Sequence, residues 1–186
     1  MLSVDYQLNN DIDWFCILEN IPIHVASNGG RLPVSLSTVS KLRTAQRFVF
    51  NLDENCDYEF NPNVLEMPLN DSLDEIRDIS EYFPFTEGLF EERYLSNSQK
   101  AYLWSFVKMA KKGFYSYDRI DDTDKYMLIA WPKKDKDYQD LSEQLRGLVP
   151  EYSYEYKYIK TLKGTNPLDL VNTINMSTQI GKNGKK

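Results

Sequence analysis

Between Glu151 and Ile159 the chain reads Glu-Tyr-Ser-Tyr-Glu-Tyr-Lys-Tyr-Ile, with Tyr152, Tyr154, Tyr156 and Tyr158 at every second position. Side chains alternate across a strand, so this spacing predicts a β-strand with all four rings on one face. Ser153, Glu155 and Lys157 fall on the other. Tyrosine combines an apolar body with a polar tip, which suits half-buried surfaces and protein contacts. The segment calls for a sheet and predicts that one of its faces is adhesive.

Two hairpins supply the rest of that sheet. Trp14–Leu18 and Ile21–Ala26 flank Glu19-Asn20. Centred on Asn20, the pairing sets Phe15 against Val25 and Ile17 against Ile23, with Cys16 beside His24. Pro22 has no N–H to give a ladder, so its strand is expected at an edge or kinked at its start. Ser27-Asn-Gly-Gly30 closes the unit as a turn. Phe114–Arg119 and Tyr126–Trp131 form the second hairpin around Asp121-Asp-Thr-Asp124.

Helical spacing appears over residues 36–47, through Val39, Leu42, Ala45 and Val49. It recurs after Ser96-Asn-Ser-Gln99, where Leu103, Phe106, Val107 and Ala110 form a stripe that Gly113 ends. A shorter helix is predicted over Tyr138–Leu148, and another opens at Ser72, with Leu73, Ile76 and Ile79 before Pro84. Residues 51–70 read as a long loop that could lie on a partner, with a short strand near Tyr58-Glu-Phe60. The expected fold class is α+β, a mostly antiparallel sheet built from two hairpins plus a C-terminal strand, with helices packed on one side. Residues 1–164 are read as one domain and residues 165–186 as an extended tail, basic at its end through Lys182, Lys185 and Lys186.

Composition narrows the function classes. Hydrophobic residues make up 41% and charged residues 27%, as in ordinary globular chains. No apolar run reaches the roughly 18 residues that span a bilayer, so no membrane association is expected. The first eight residues lack a basic and then apolar leader pattern, which predicts no secretory signal. Two cysteines make no disulfide framework, so a reducing compartment such as a bacterial cytosol is expected. Charge is unevenly laid out: residues 51–100 carry 13 acids and three bases, residues 101–186 carry 11 acids and 15 bases. Such a layout can favour head-to-tail association between copies, and solvation of both faces explains it more simply.

Each chemical constellation has an ordinary structural explanation. Cys16 beside His24 has the residue types of an activated thiolate, but no orienting Asn or Asp stands out. A single histidine excludes a histidine metal cage. Ser27-Asn-Gly-Gly-Arg31 could cradle an anion, though it lacks the lysine and the glycine spacing of phosphate loops. Asp118, Asp121, Asp122 and Asp124 cluster in the second hairpin but fail the calcium-loop pattern, with Thr123 or Met127 where glycine belongs. Glu155-Tyr-Lys157 has the shape of part of a metal-dependent nuclease site, and alternating charge on a solvent face explains it equally well. Lysines at 108–112, 133–136 and 182–186 could meet nucleic acid, but a net charge of −6 opposes this.

Two longer phrases, Trp14-Phe-Cys-Ile-Leu-Glu-Asn-Ile-Pro-Ile-His-Val-Ala-Ser-Asn-Gly-Gly-Arg-Leu-Pro33 and Ser105-Phe-Val-Lys-Met-Ala-Lys-Lys-Gly-Phe-Tyr-Ser-Tyr-Asp118, resemble small, largely uncharacterised proteins of gut Bacteroidota and their tailed phages, crAss-like phages included. The resemblance covers under a fifth of the chain. It implies a virion ring or head–tail connector component, and carries over no functional residue. With the Tyr face, it sets the expectation of a non-enzymatic assembly protein without cofactor, metal or catalytic residue. Its partners would be copies of itself or other proteins, met through Tyr152, Tyr154, Tyr156, Tyr158, Lys182, Lys185 and Lys186. The alternatives are a small metal-dependent nuclease using Glu155 and Lys157, or an acidic inhibitor or immunity-type binder using residues 51–100.

Overall fold

The computed structural model describes residues 2–33, 36, 39–67, 69, 95–120, 123, 125–134 and 139–152. In chain order the elements are α1 (Val4–Leu8), β1 (Asp13–Leu18), β2 (Ile21–Ala26), α2 (Val39–Phe50), β3 (Tyr58–Phe60), a 3-10 turn (Pro62–Glu66), α3 (Asn97–Lys111), β4 (Tyr115–Arg119), β5 (Tyr126–Pro132), α4 (Gln139–Leu145) and β6 (Glu151–Tyr152). Six strands form one sheet in the order β3-β5-β4-β2-β1-β6. The β1/β2, β3/β5 and β4/β5 junctions are antiparallel, while β2/β4 and β1/β6 are parallel. The fold is α+β. Its sheet is mostly antiparallel because each hairpin is, and the parallel joints are where one unit meets the next.

The first hairpin is shifted by one residue from its expected register. Phe15 pairs with His24, Cys16 with Ile23 and Ile17 with Pro22. The cause is a two-residue turn in which Glu19 and Asn20 both take positive φ, 51° and 65°. Tight turns of that hand match the twist of the flanking strands. A one-residue slip moves every side chain to the other face. Trp14, Cys16, Leu18, Ile21, Ile23 and Val25 therefore share one cluster with Tyr115, Tyr117, Tyr126, Leu128 and Tyr152. Phe15 and Ile17 join Ala45, Val49, Met109, Phe114, Leu141 and Leu145 on the helix-bearing face.

Pro22 stands in a central strand, contrary to the edge expected. Antiparallel partners alternate in which neighbour their polar groups address. Pro22 pairs with Ile17, and the β4 ladder starts only at Ile23. Its missing N–H thus falls where no β4 residue is paired.

Helix α3 is built as its sequence dictates. The Ser96 hydroxyl accepts from the Gln99 N–H and the Gln99 side chain accepts from the Ser96 N–H. Leu103, Phe106, Val107 and Ala110 are buried against Met127, Ile129 and Ala130 of β5. Gly113 ends the helix at φ 98°. Truncating Leu103 to Ala removes a fully buried side chain, a change that costs about 2–5 kcal/mol. Phe48-Val-Phe50 continues α2 rather than starting a strand.

The described part of residues 51–70 is anchored to the sheet at several points, while much of its outer surface stays exposed. The Cys56 N–H donates to the Lys111 carbonyl, and Asn61 is sealed beneath β5 with its amide donating to the Leu128 carbonyl at 2.9 Å. Tyr58–Phe60 forms the edge strand against Ala130–Pro132. The helix predicted after Ser72 and the tail from residue 165 lie outside the described residues.

Candidate functional site

Among the described residues, two places combine accessible surface with chemistry: a cleft between α2 and α3 over the sheet, and the face around α1.

The cleft encloses about 380 Å³ and is lined by Asp13, His24, Phe50, Trp104, Ser105, Lys108, Met109 and Lys112. Its floor comes from β1 and β2, with β4 alongside. Asp13 opens β1, His24 lies in β2, and Ser116 pairs beside His24 in β4. The His24 ring is within hydrogen-bond reach on both sides, 2.6 Å from Nδ1 to Ser116 Oγ and 3.1 Å from Nε2 to Asp13 Oδ1. An ionised carboxylate only accepts, so Nε2 carries a proton and donates to Asp13. In the neutral ring Nδ1 then accepts the Ser116 hydroxyl proton. Burial pushes the Asp13 carboxyl up, but the His24 hydrogen bond and charge outweigh it and hold the group below the ordinary carboxylate range.

Serine, histidine and aspartate in contact are the residue types of an acyl-transfer triad. Access decides against that reading. Ser116 is fully buried and His24 is 1% exposed, with the serine beneath the ring rather than in the cleft. The His24 ring is also wedged between Phe15 and Phe106, at centroid distances of 5.3 and 6.3 Å. The trio ties β1, β2 and β4 together; Asp13 and His24 line the cleft, and Asp13, 38% exposed, is its accessible member.

The lysines of the cleft are engaged. The Lys112 ammonium donates to the Phe50 and Leu52 carbonyls at the end of α2. Burial lowers its pKa, the Glu54 charge raises it, and Lys108 lowers it further. Lys108 sits 3.6 Å from Glu54 and 4.7 Å above the Trp104 ring. Lys108 and Lys112 are thus held by a neighbouring helix end and an acidic loop, not by the dipole of α3 alone.

The face around α1 has the opposite character. Val4, Tyr6 and Leu8 are 50%, 51% and 45% exposed, while Gln7 is the buried residue of the helix. The Gln7 amide donates to the Leu2 carbonyl and accepts from the Leu32 N–H. Amphipathic helices normally bury their apolar stripe. This one is pinned by an amide and turns its apolar residues outward. Beside it lies a groove of about 340 Å³ lined by Leu2, Tyr6, Asp11, Ile12, Leu42, Arg43 and Gln46.

The sites read from the sequence fare as follows. Cys16 and His24 lie on opposite faces of the sheet, so they form no thiolate–imidazole pair. Burial alone drives the Cys16 thiol far above its ordinary value. In the turn 27–31 the Asn28 N–H is taken by the Asp11 carboxylate of the chain itself, the Arg119 guanidinium donates to the Asn28 carbonyl, and Arg31 is exposed. Asp118 accepts from the Tyr102 hydroxyl at 2.7 Å, while Asp121, Asp122 and Asp124 lie outside the described residues. Among the described residues no group of three or more His, Cys, Asp or Glu is placed to hold a metal ion.

Tyr152 corrects the contact-face reading at its first member. β6 pairs in parallel with β1, Leu18 opposite Tyr152, and the ring is 5% exposed within the cluster of Trp14 and Leu18. It belongs to the monomer's interior. Tyr154, Tyr156, Tyr158, Glu155, Lys157, Lys182, Lys185 and Lys186 lie outside the described residues. Ser116 and Asp13 were not foreseen, since no local pattern marks them and only the three-strand register brings them to His24. The outward face of α1 was also missed, because Val4, Tyr6 and Leu8 alternate like a strand.

No protein-family model matches the chain, and neither a curated protein nor a solved structure matches it. Among the described residues no helix is long and apolar enough to cross a membrane.

Proposed function

We propose that this protein is a non-enzymatic assembly component that joins copies of itself through the face around α1. The observation behind this reading is the inversion of that helix. Exposed large apolar side chains among the described residues are Val4, Tyr6, Leu8, Phe50 and Leu65, and three of them stand on one five-residue helix. Val4 and Leu8 stand one turn apart on the same side of the helix, and Tyr6 lines the neighbouring groove, so apolar side chains are offered on both flanks of α1. The neighbouring groove carries both an acid, Asp11, and a base, Arg43, so a second copy meets complementary charge there.

The magnitude suits an array better than an isolated pair. Full burial of a side chain such as Leu contributes roughly 1.5–3 kcal/mol, and about half of each is still exposed on α1. Three such residues supply about 3 kcal/mol, which is weak for a free dimer. A closed ring in which each copy meets two neighbours multiplies a weak contact. That is the architecture implied by the resemblance to phage proteins, and a virion ring or head–tail connector in the virion or host cytoplasm is the role we assign. Sedimentation velocity over rising protein concentration tests it. The wild-type chain should shift to larger species, and a Val4→Glu/Leu8→Glu variant should remain monomeric with unchanged thermal stability. Equal behaviour of both chains contradicts the proposal.

A further inference from the structure

The α2–α3 cleft is unused by an assembly role, and its polar groups are unequally committed. Lys112 is spent on the Phe50 and Leu52 carbonyls. Lys108 and Lys112 share Glu54, at 3.6 and 4.0 Å. Glu54 therefore offsets charge on both lysines. His24 is saturated by Ser116 and Asp13. What remains is the Asp13 carboxylate. One oxygen takes the His24 proton and the side chain is still 38% exposed.

A carboxylate at the floor of a cavity with aromatic walls selects a donor of positive charge. Aromatic faces attract cations, and the Trp104 ring already carries the Lys108 ammonium over it. Phe50 and Met109 complete an apolar wall, and about 380 Å³ falls in the range of small-molecule sites. We infer that the α2–α3 cleft binds a small organic amine, with its ammonium head against Asp13 and its apolar body among Phe50, Trp104 and Met109. An organic acid of the same size is disfavoured, because the lysines it would need are already paired and Asp13 would repel it.

The test is an NMR titration of the full chain with 2-phenylethylamine, followed at the Trp104 indole and at the Ser105 and Lys108 amides. 3-Phenylpropionate, with the same ring and the opposite charge, is the comparison ligand. The amine should give saturable shifts confined to the cleft at up to about 10 mM, the range of weak small ligands. The acid should give none. Asp13→Asn retains an acceptor for His24 and should weaken the amine about tenfold or more, as expected for loss of a charge-assisted hydrogen bond. Ser105→Trp, at an exposed helix position on the rim, should block binding without touching the sheet, and it serves as the deciding variant if Asp13→Asn does not fold. Binding of the acid as tightly as the amine overturns the inference, as does amine binding unchanged in the folded variants or no shift at all. Cleft shifts that grow with protein concentration in the absence of amine would make the occupant a side chain of a second copy, and overturn it too.

Discussion

Ser116→Ala is the sharpest probe of whether the Ser116–His24–Asp13 chain is structural. The side chain is fully buried in β4 and its hydroxyl is 2.6 Å from His24 Nδ1. With Nε2 donating to Asp13, Nδ1 is left with Ser116 as its partner. Alanine leaves that nitrogen buried and unmatched, which costs about 1–3 kcal/mol. The lost hydroxyl is small, so the cavity adds little. Urea unfolding of wild type, Ser116→Ala, His24→Leu and the double variant gives a mutant cycle. Once His24 is leucine no acceptor is stranded, so the serine substitution should cost little. The coupling should fall in the range of about 1–3 kcal/mol found for residues in one hydrogen-bond network. Hydrolysis of an activated ester should be no faster for wild type than for Ser116→Ala. Additive variants with under about 0.5 kcal/mol lost would refute the cross-tie, and serine-dependent ester hydrolysis would restore the triad reading.

Three further outcomes follow from the same geometry. Cys16 is sealed in the sheet with its thiol pKa raised by burial, whereas Cys56 is partly exposed, so a thiol reagent should label Cys56 in the native chain and both cysteines in denaturant. Asp13 has a depressed folded pKa, so its contribution is present above the ordinary carboxylate value near 3.8 and lost as pH falls through the folded value. The stability gap between wild type and Asp13→Asn in urea titrations should therefore narrow as pH falls below about 3.8 and close below the folded value. Gly30→Ala should destabilise by about 1–3 kcal/mol, since a Cβ there meets Ser27 O at 2.7 Å, Arg119 Cδ at 2.6 Å and the Tyr126 hydroxyl at 2.8 Å. A melting temperature equal to wild type would show that the loop has room to yield.

Local rules were legible in the sequence wherever one segment contains its own answer. The Ser96–Gln99 cap, the Gly113 stop and the apolar stripe of α3 need no distant partner, and both hairpins closed where turn residues interrupt apolar runs. Register was less legible. Glu19 is not a residue that announces positive φ, yet it shares the tight turn with Asn20, and the resulting one-residue slip parts Cys16 from His24. The place of Pro22 depends on where β4 begins to pair, information that lies more than 90 residues away. Tyr152 has the alternation of a contact strand but enters beside Leu18 in the sheet interior. The candidate cleft is harder still to read, because Asp13, His24 and Ser116 sit on three strands and meet only once the sheet exists.

The claim that the chain works through the outward face of α1 is tested most directly by placing a photo-crosslinking p-benzoyl-phenylalanine at Tyr6, which is half exposed at the lip of the groove. Irradiation of the purified chain followed by mass mapping should yield covalent dimers with Tyr6 joined to a second copy, and Leu8→Glu should suppress them. Crosslinks confined to the same chain at every concentration would contradict the account.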